Sequence, residues 1–285
     1  MPTSVSQLDF FGAPKPAAPV IKPDGSVPGA SVIYAPTGSA LEYAALATNP
    51  YKGCGHSCKY CWVPDITHQD RAEFNAGAVL KPDYLGKLRK DAALYRQAGV
   101  TEQILIAFST DPYHPAEHET ATTRTVLEIL SEHDQAFSIL SKGGTRALRD
   151  RDLFRPARDC YGVTLTGVDD RLSKKWEPDA PLPGDRLAAL QAFHAAGIFT
   201  WVSIEPVVSV EASLQAIAAT HEFVDLYKVG RMNYLNLPID WRDFALRALD
   251  LLDRLGKRHY VKRDLQQFLP PGYANPMRVS QHHGT

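Results

Sequence analysis

The stretch YAALATNPYKGCGHSCKYCW, residues 43–62, joins a short apolar run to a loop that carries three thiols. Its first half, centred on Leu46 and ended by Asn49-Pro50, reads as a strand. Its second half places Cys54, Cys58 and Cys61 in the spacing C-x3-C-x2-C, with Tyr60 before the third cysteine. The only other cysteine of the 285 residues is Cys160. A disulfide takes two thiols and a structural zinc site four ligands, so a loop of three asks for other chemistry. A strand that runs straight into such a loop is also the unit from which parallel α/β barrels are assembled.

Outward from that stretch the unit repeats. QILIAF (103–108), FSIL (137–140), YGVTLT (161–166), FTWVSI (199–204), VDLYKVG (224–230) and HYVK (259–262) read as buried strands. Between them the spacing predicts helices over 82–98, 119–132, 145–154, 185–196, 210–220 and 240–255, with Leu85, Leu88, Ala92 and Tyr95 on one face of the first. Gly197 and Gly256 stop the fourth and the last. Six alternations with short connections imply an α/β fold. It is a partial (β/α)6 TIM-like barrel of parallel strands with helices outside, occupying 41–265. A Pro/Gly-rich N-terminal arm, extended or mobile, is expected over 1–40, and a C-terminal tail over 266–285. No Rossmann or P-loop glycine pattern opens the first unit.

Composition sets limits on partners. Hydrophobic residues make up 44% and charged residues 22%, enough for a sizeable core. The net charge of −1 gives no global field for phosphates, though local patches remain. No run reaches the ~18 apolar residues of a membrane span, and the first twenty residues lack the basic start and apolar core of a secretory signal. The expectation is a cytoplasmic chain with reduced thiols and no membrane partner, where clustered cysteines favour a metal or a cluster.

Three thiolates on one tight loop can bind three irons of a cubane and leave the fourth iron bare. An amino acid with a free amine and carboxylate would chelate that corner. Two other readings stand beside this one: an iron–sulfur redox protein, and a zinc-stabilised nucleic-acid-binding protein using the cysteines and His56. The first wants a fourth thiol nearby, which the chain lacks; for the second, His56 reads better as an exposed loop residue than as a ligand.

The residues NPYKGCGHSCKYCW resemble the signature of radical S-adenosylmethionine (AdoMet) enzymes, and STDPY (109–113) resembles the spore photoproduct lyase-like, or DNA repair photolyase-like, branch. The resemblance covers about residues 41–265. It implies a [4Fe–4S] cluster on Cys54, Cys58 and Cys61, with the open iron bound by the methionyl amine and carboxylate. Reductive cleavage of AdoMet would give a 5′-deoxyadenosyl radical that takes hydrogen from substrate. The resemblance further implies Tyr60 near the adenine, a flavodoxin- or ferredoxin-type electron donor, and thymine chemistry on DNA, which makes nucleic acid a candidate partner.

A barrel carries its chemistry where the strands end. After the second strand, Ser109 and Asp111 would orient AdoMet or simply cap a turn. After the third, Lys142 would pair with the AdoMet carboxylate, as the lyase-like proteins suggest. Thr164 and Thr166 share a face of the fourth strand, with Asp169 beyond them. Ser203 and Glu205 end the fifth, where a carboxylate would accept ribose hydroxyls or shape the pocket. Lys228, Arg231 and Asn233 end the sixth, with Arg231 placed to pair with Glu205 across the mouth; Lys262 and Asp264 end the last.

The lyase relies on a further cysteine as hydrogen donor, but Cys160 precedes its strand and reads as packing. Two basic segments remain. KGGTRALRDRDLFRPAR (142–158) is offset by aspartates, and RLSKKW (171–176) sets Lys174, Lys175 and Trp176 on a loop, a group able to stack a base and hold phosphates.

Overall fold

The computed structural model describes residues 21–276; the first half of the expected arm and the end of the expected tail lie outside them. Seven strands are hydrogen-bonded in chain order, every neighbouring pair parallel. They are β1 (Leu46–Thr48), β2 (Ile104–Ile106), β3 (Phe137–Ser141), β4 (Cys160–Thr164), β5 (Phe199–Ile204), β6 (Leu226–Val229) and β7 (Arg258–Val261). β1 and β7 do not pair, so the barrel is partial, as the alternation predicts. The main helices are α1 (Tyr84–Gln97), α2 (Thr122–Glu132), α3 (Asp170–Trp176), α4 (Pro183–Ala195), α5 (Val210–Thr220) and α6 (Trp241–Arg254).

The strands read as continuous apolar runs because both of their faces are buried. Outward residues such as Ile104, Ile139, Val163, Val202 and Val229 pack with the helices in one large core. Inward residues Ala47, Leu105, Leu140, Cys160, Trp201 and Leu226 form a second core that plugs the barrel floor. Gly162 makes that plug fit, since a Cβ there would overlap the Trp201 indole. Cys160 is the first residue of β4 and wholly buried on this floor, where Gln103 Nε2 donates to its sulfur (3.0 Å) and burial pushes its thiol up.

Four sequence expectations change. The helix expected over 119–132 is broken at Ala121, which takes a left-handed conformation (φ 49°). The Glu117 side chain, held by Arg149, accepts the Thr123 N–H (2.9 Å) and starts α2 there. The helix expected over 145–154 is a 3-10 segment, Gly144–Leu153. The loop expected at RLSKKW is α3, because Asp169 caps it by accepting the Leu172 N–H (2.8 Å). Finally, the described part of the expected arm, residues 21–40, does not stand free. Val27 and Ile33 enter the main core, and the buried Asp91 of α1 accepts the N–H groups of Ser31, Val32 and Ile33 (2.8, 2.6 and 3.0 Å).

Candidate active site

The cysteine loop is pinned along its length. After β1, residues 51–52 form a two-residue antiparallel ribbon with 79–80. Gly53 then takes a left-handed turn (φ 82°) so close to the Gly77 carbonyl that any Cβ would overlap it. The Cys54 N–H donates to Phe74 O (2.7 Å), the Lys59 N–H to Trp176 O (2.9 Å) and the Cys61 N–H to Cys58 O (3.0 Å). All three thiols are free of disulfides and line one cavity of about 460 Å³ at the strand ends, within the ~300–1,000 Å³ of small-molecule sites. Burial pushes the Cys54 thiol up to about 11 and the Cys58 thiol to about 12, with Asp111 adding to the first; burial raises Cys61 as well. Such thiols lose their protons as they take up metal rather than beforehand.

Most of the strand-end residues singled out from sequence meet here: Tyr60, Ser109, Asp111, Lys142, Thr164, Glu205 and Arg231 all face the cavity. Ser203 does not; it lies two residues deeper in β5 and is fully buried. Asp111 accepts from the Ser141 hydroxyl (2.6 Å), the Lys142 N–H (2.6 Å) and the Tyr113 N–H (2.8 Å). It also faces His56 Nδ1 (3.4 Å). Burial alone would raise its carboxyl, but His56 and these donors hold it well below the usual carboxylate range. His56 is therefore not an exposed loop residue: it is 1% exposed and ties the cysteine loop to the turn after β2. Ser109 likewise turns back, its hydroxyl donating to Asn49 Oδ1 (2.8 Å).

Lys142 is half-buried, its ammonium 5.7 Å from the centre of the Tyr60 ring. Burial lowers its affinity for a proton, but the anionic groups around it, Glu177 among them, outweigh that and hold it cationic. Tyr60 donates its hydroxyl to Glu177, and Glu177 forms a buried ion pair with Arg186 (2.6 Å). Arg186 also donates to the carbonyls of Thr164 (3.0 Å) and Pro181 (2.9 Å), which fastens the end of β4 to the cysteine loop.

The expected pairing of Arg231 with Glu205 is absent. Lys262 takes Glu205 instead, and Tyr43 (2.8 Å) and Asn233 (3.2 Å) donate to the same carboxylate. The Lys262 ammonium also lies over the Tyr43 ring, 3.3 Å from its centre. Arg231 Nε, buried at the cavity wall, has no hydrogen-bond partner among the described residues; the same holds for Thr110 Oγ1 and His56 Nε2. Glu177, Arg186, Tyr43 and Asn49 were missed by sequence reasoning. Only Asn49 had a signal, as the first residue of the NPYKGC motif.

The donor set fits a cluster and a polar ligand. A cubane gives each thiolate its own iron, so three sulfurs need not converge on one point. Among the described residues no three His, Cys, Asp or Glu side chains do converge as a single ion requires, and His56 faces Asp111 rather than the cysteines. The unpartnered polar atoms on the wall are those a polar ligand would satisfy.

The family model of the radical SAM superfamily matches residues 48–224. An uncharacterized protein of Mycobacterium tuberculosis is 31% identical over 181 residues, 61% of this chain and 52% of the relative. An uncharacterized protein of Methanocaldococcus jannaschii is 26% identical over 196 residues, 67% of this chain and 71% of the relative. The chain thus spans about half the length of the mycobacterial relatives it matches. Among solved structures, spore photoproduct lyase complexed with dinucleoside spore photoproduct is similar in fold. Its TM-score is 0.62 at 14% identity, covering 83% of this chain and 80% of the lyase. Streptococcus suis SuiB bound to S-adenosylmethionine gives 0.59 at 14% identity, over 79% and 52%. With its C-x3-C-x2-C loop at the mouth of a partial parallel barrel, the chain belongs to the radical SAM superfamily, whose cofactors are a [4Fe–4S] cluster and AdoMet.

Proposed function

We propose that this chain is an enzyme that cleaves AdoMet reductively and uses the resulting 5′-deoxyadenosyl radical to take a hydrogen atom from a substrate held in the same cavity. The observation that carries this reading is the convergence of Cys54, Cys58, Cys61, Lys142, Asp111 and Glu205 on one cavity of about 460 Å³. In it, the three cysteines hold the cluster and Lys142 receives the AdoMet carboxylate. Asp111 and Ser109 act through the backbone, keeping the turn after β2 in place. Thr164 and Arg231 meet the polar groups of the nucleoside, and Glu205, fixed by Tyr43, Lys262 and Asn233, takes ribose hydroxyls. Tyr60 forms the side of the adenine site, its orientation set by Glu177.

For the substrate we propose a nucleic-acid base, in a spore photoproduct lyase-like reaction. STDPY and the likeness in fold to the lyase support this, as do Trp62 and Tyr234, two rings stacked 6.0 Å apart where they line the cavity. The electron comes from a flavodoxin- or ferredoxin-type donor. Among the described residues no helix is long and apolar enough to cross a membrane, and all four cysteines are free, which suits the reducing cytoplasm. The test is release of 5′-deoxyadenosine by anoxically reconstituted protein, screened against DNA, RNA and small-molecule pools. Release stimulated by DNA or RNA supports the reading; a colourless zinc protein that releases none refutes it.

A further inference from the structure

The charged side chains on the cavity wall are Asp111, Lys142, Glu205, Arg231 and Lys262. All but one have their counterparts. Lys262 and Glu205 pair with each other, and Asp111 is held by His56, the Ser141 hydroxyl and the N–H groups of Tyr113 and Lys142. Lys142 is the cation that acts on all three cysteine thiols, and the AdoMet carboxylate is assigned to it above. Arg231 is left over. Its Nε is buried without an acceptor, and it forms no ion pair among the described residues. The neighbouring Met232 turns to Cys58 and Tyr60, whereas the Arg231 guanidinium lies 5.9 Å from the centre of the ring of Phe268, a residue that follows β7.

Other cations of the chain do not share this position. Arg151, Arg171, Arg242 and Arg263 also lack an acid, but they are exposed and water matches their charge. Arg71 and Arg186 also bury an unpartnered nitrogen, but each has a carboxylate, at 2.9 and 2.6 Å. Among the described residues only Arg231 combines a buried free donor, no acid and a place on the cavity wall. A charge so placed is costly until it is paired. AdoMet does not pair it. Its one carboxylate goes to Lys142, and its nucleoside, whose polar groups Arg231 also meets, is neutral. The substrate is what remains to bring an anion. The planar guanidinium suits an oxyanion, to which two N–H groups can donate at once. On the same loop, Tyr234 stacks on Trp62 at the cavity wall yet is 58% exposed, a ring left open to a flat ligand.

We propose that Arg231 is the oxyanion-binding residue of the substrate site, and that the substrate is a planar ring carrying a phosphate or a carboxylate. The ring lies against Trp62 and Tyr234, and the oxyanion accepts from the Arg231 guanidinium. This assignment rests on the reading of the cavity as a radical AdoMet site and deepens it by giving the substrate a charge. It separates a nucleotide or a heterocyclic acid from a neutral base or nucleoside, which would leave Arg231 unmatched.

The experiment measures binding, by anoxic calorimetry on the cluster-reconstituted protein saturated with AdoMet. The probes are two pairs that differ by one anion: thymidine against thymidine 5′-monophosphate, and uracil against orotate. In the wild type the charged member of at least one pair should bind about tenfold or more tightly than its neutral twin, as a charge-assisted contact predicts. Preference within the first pair assigns the site to a phosphate, and preference within the second to a carboxylate. Arg231→Met should bring the two members of that pair within about twofold of each other, and Arg231→Lys should keep part of the preference. Thr164→Val, at the other residue placed against the nucleoside, should keep all of it. A wild type that prefers neither charged probe overturns the proposal. So does a preference that survives in Arg231→Met, or one that Thr164→Val abolishes equally. A wild-type protein that assembles no iron–sulfur chromophore or binds no AdoMet overturns the underlying reading instead, and is seen before any probe is added.

Discussion

Replacing Glu177 by glutamine should cost the fold about 3 kcal/mol, although the side chain keeps its shape. Glu177 and Arg186 are both essentially inaccessible to solvent, with side chains 0% and 1% exposed and an ion-pair distance of 2.6 Å. Removing one partner of a buried pair strands the other charge, at about 3–5 kcal/mol. The lower end applies here because Arg186 keeps two carbonyl acceptors, Thr164 O and Pro181 O. Tyr60 keeps an acceptor as well, since the amide oxygen replaces a carboxylate oxygen. Against the ~5–15 kcal/mol by which domains are stable, such a loss is large. Urea unfolding of the metal-free protein measures it as a lower midpoint at unchanged slope. A cycle with Arg186→Met should show the two sites coupled by about 2 kcal/mol or more. A loss under about 1 kcal/mol for Glu177→Gln, or additive single variants, would show that this pair does not hold the end of β4 to the cysteine loop.

Gly162→Ala should destabilise by about 3 kcal/mol or more, because the new methyl meets the Trp201 indole in a filled barrel floor; thermal unfolding checks it. Gly53→Ala should keep the fold, read by far-ultraviolet circular dichroism, but take up little iron, since its left-handed turn abuts the rigid Gly77 carbonyl. Lys142→Met should weaken AdoMet binding to the reconstituted protein by about tenfold or more, measured by calorimetry, as a charge-assisted bond is lost. Lys228 is buried against the carbonyls of Glu42 and Tyr43, and burial, with Lys262, lowers its pKa to about 7 from 10.5. Between those values the unfolded chain binds the extra proton, so this lysine makes stability rise with pH. From pH 7.5 to 9 the gain should be about 2 kcal/mol, and Lys228→Met should lack it in urea titrations at the two pH values.

The fold was legible because its strands are buried on both faces and its helices carry ordinary stops. The expected helix over 210–220 matches α5 residue for residue, and the strand over 199–204 matches β5. Misreadings came where a single side chain overrides propensity. Asp169, one of the polar groups counted at the strand ends, spends its carboxylate on capping α3; Glu117 splits a helix at Ala121. At the site, the cysteines and most strand-end polar residues were legible because barrel geometry gathers them. Their partners were not. Glu177 meets Tyr60 across 117 positions and Tyr43 meets Glu205 across 162. No local pattern encodes such pairs, and Glu205 is taken across the mouth by Lys262 at the end of β7 rather than by Arg231 at the end of β6.

The central claim is that the three cysteines leave one iron open to AdoMet. Electron paramagnetic resonance of the anoxically reconstituted, reduced protein, recorded with and without AdoMet, tests it most directly. The account expects a [4Fe–4S] signal whose g-values shift when AdoMet is added, and the loss of that signal in a Cys58→Ala variant. A signal indifferent to AdoMet, or a protein that retains zinc and assembles no cluster, would contradict it.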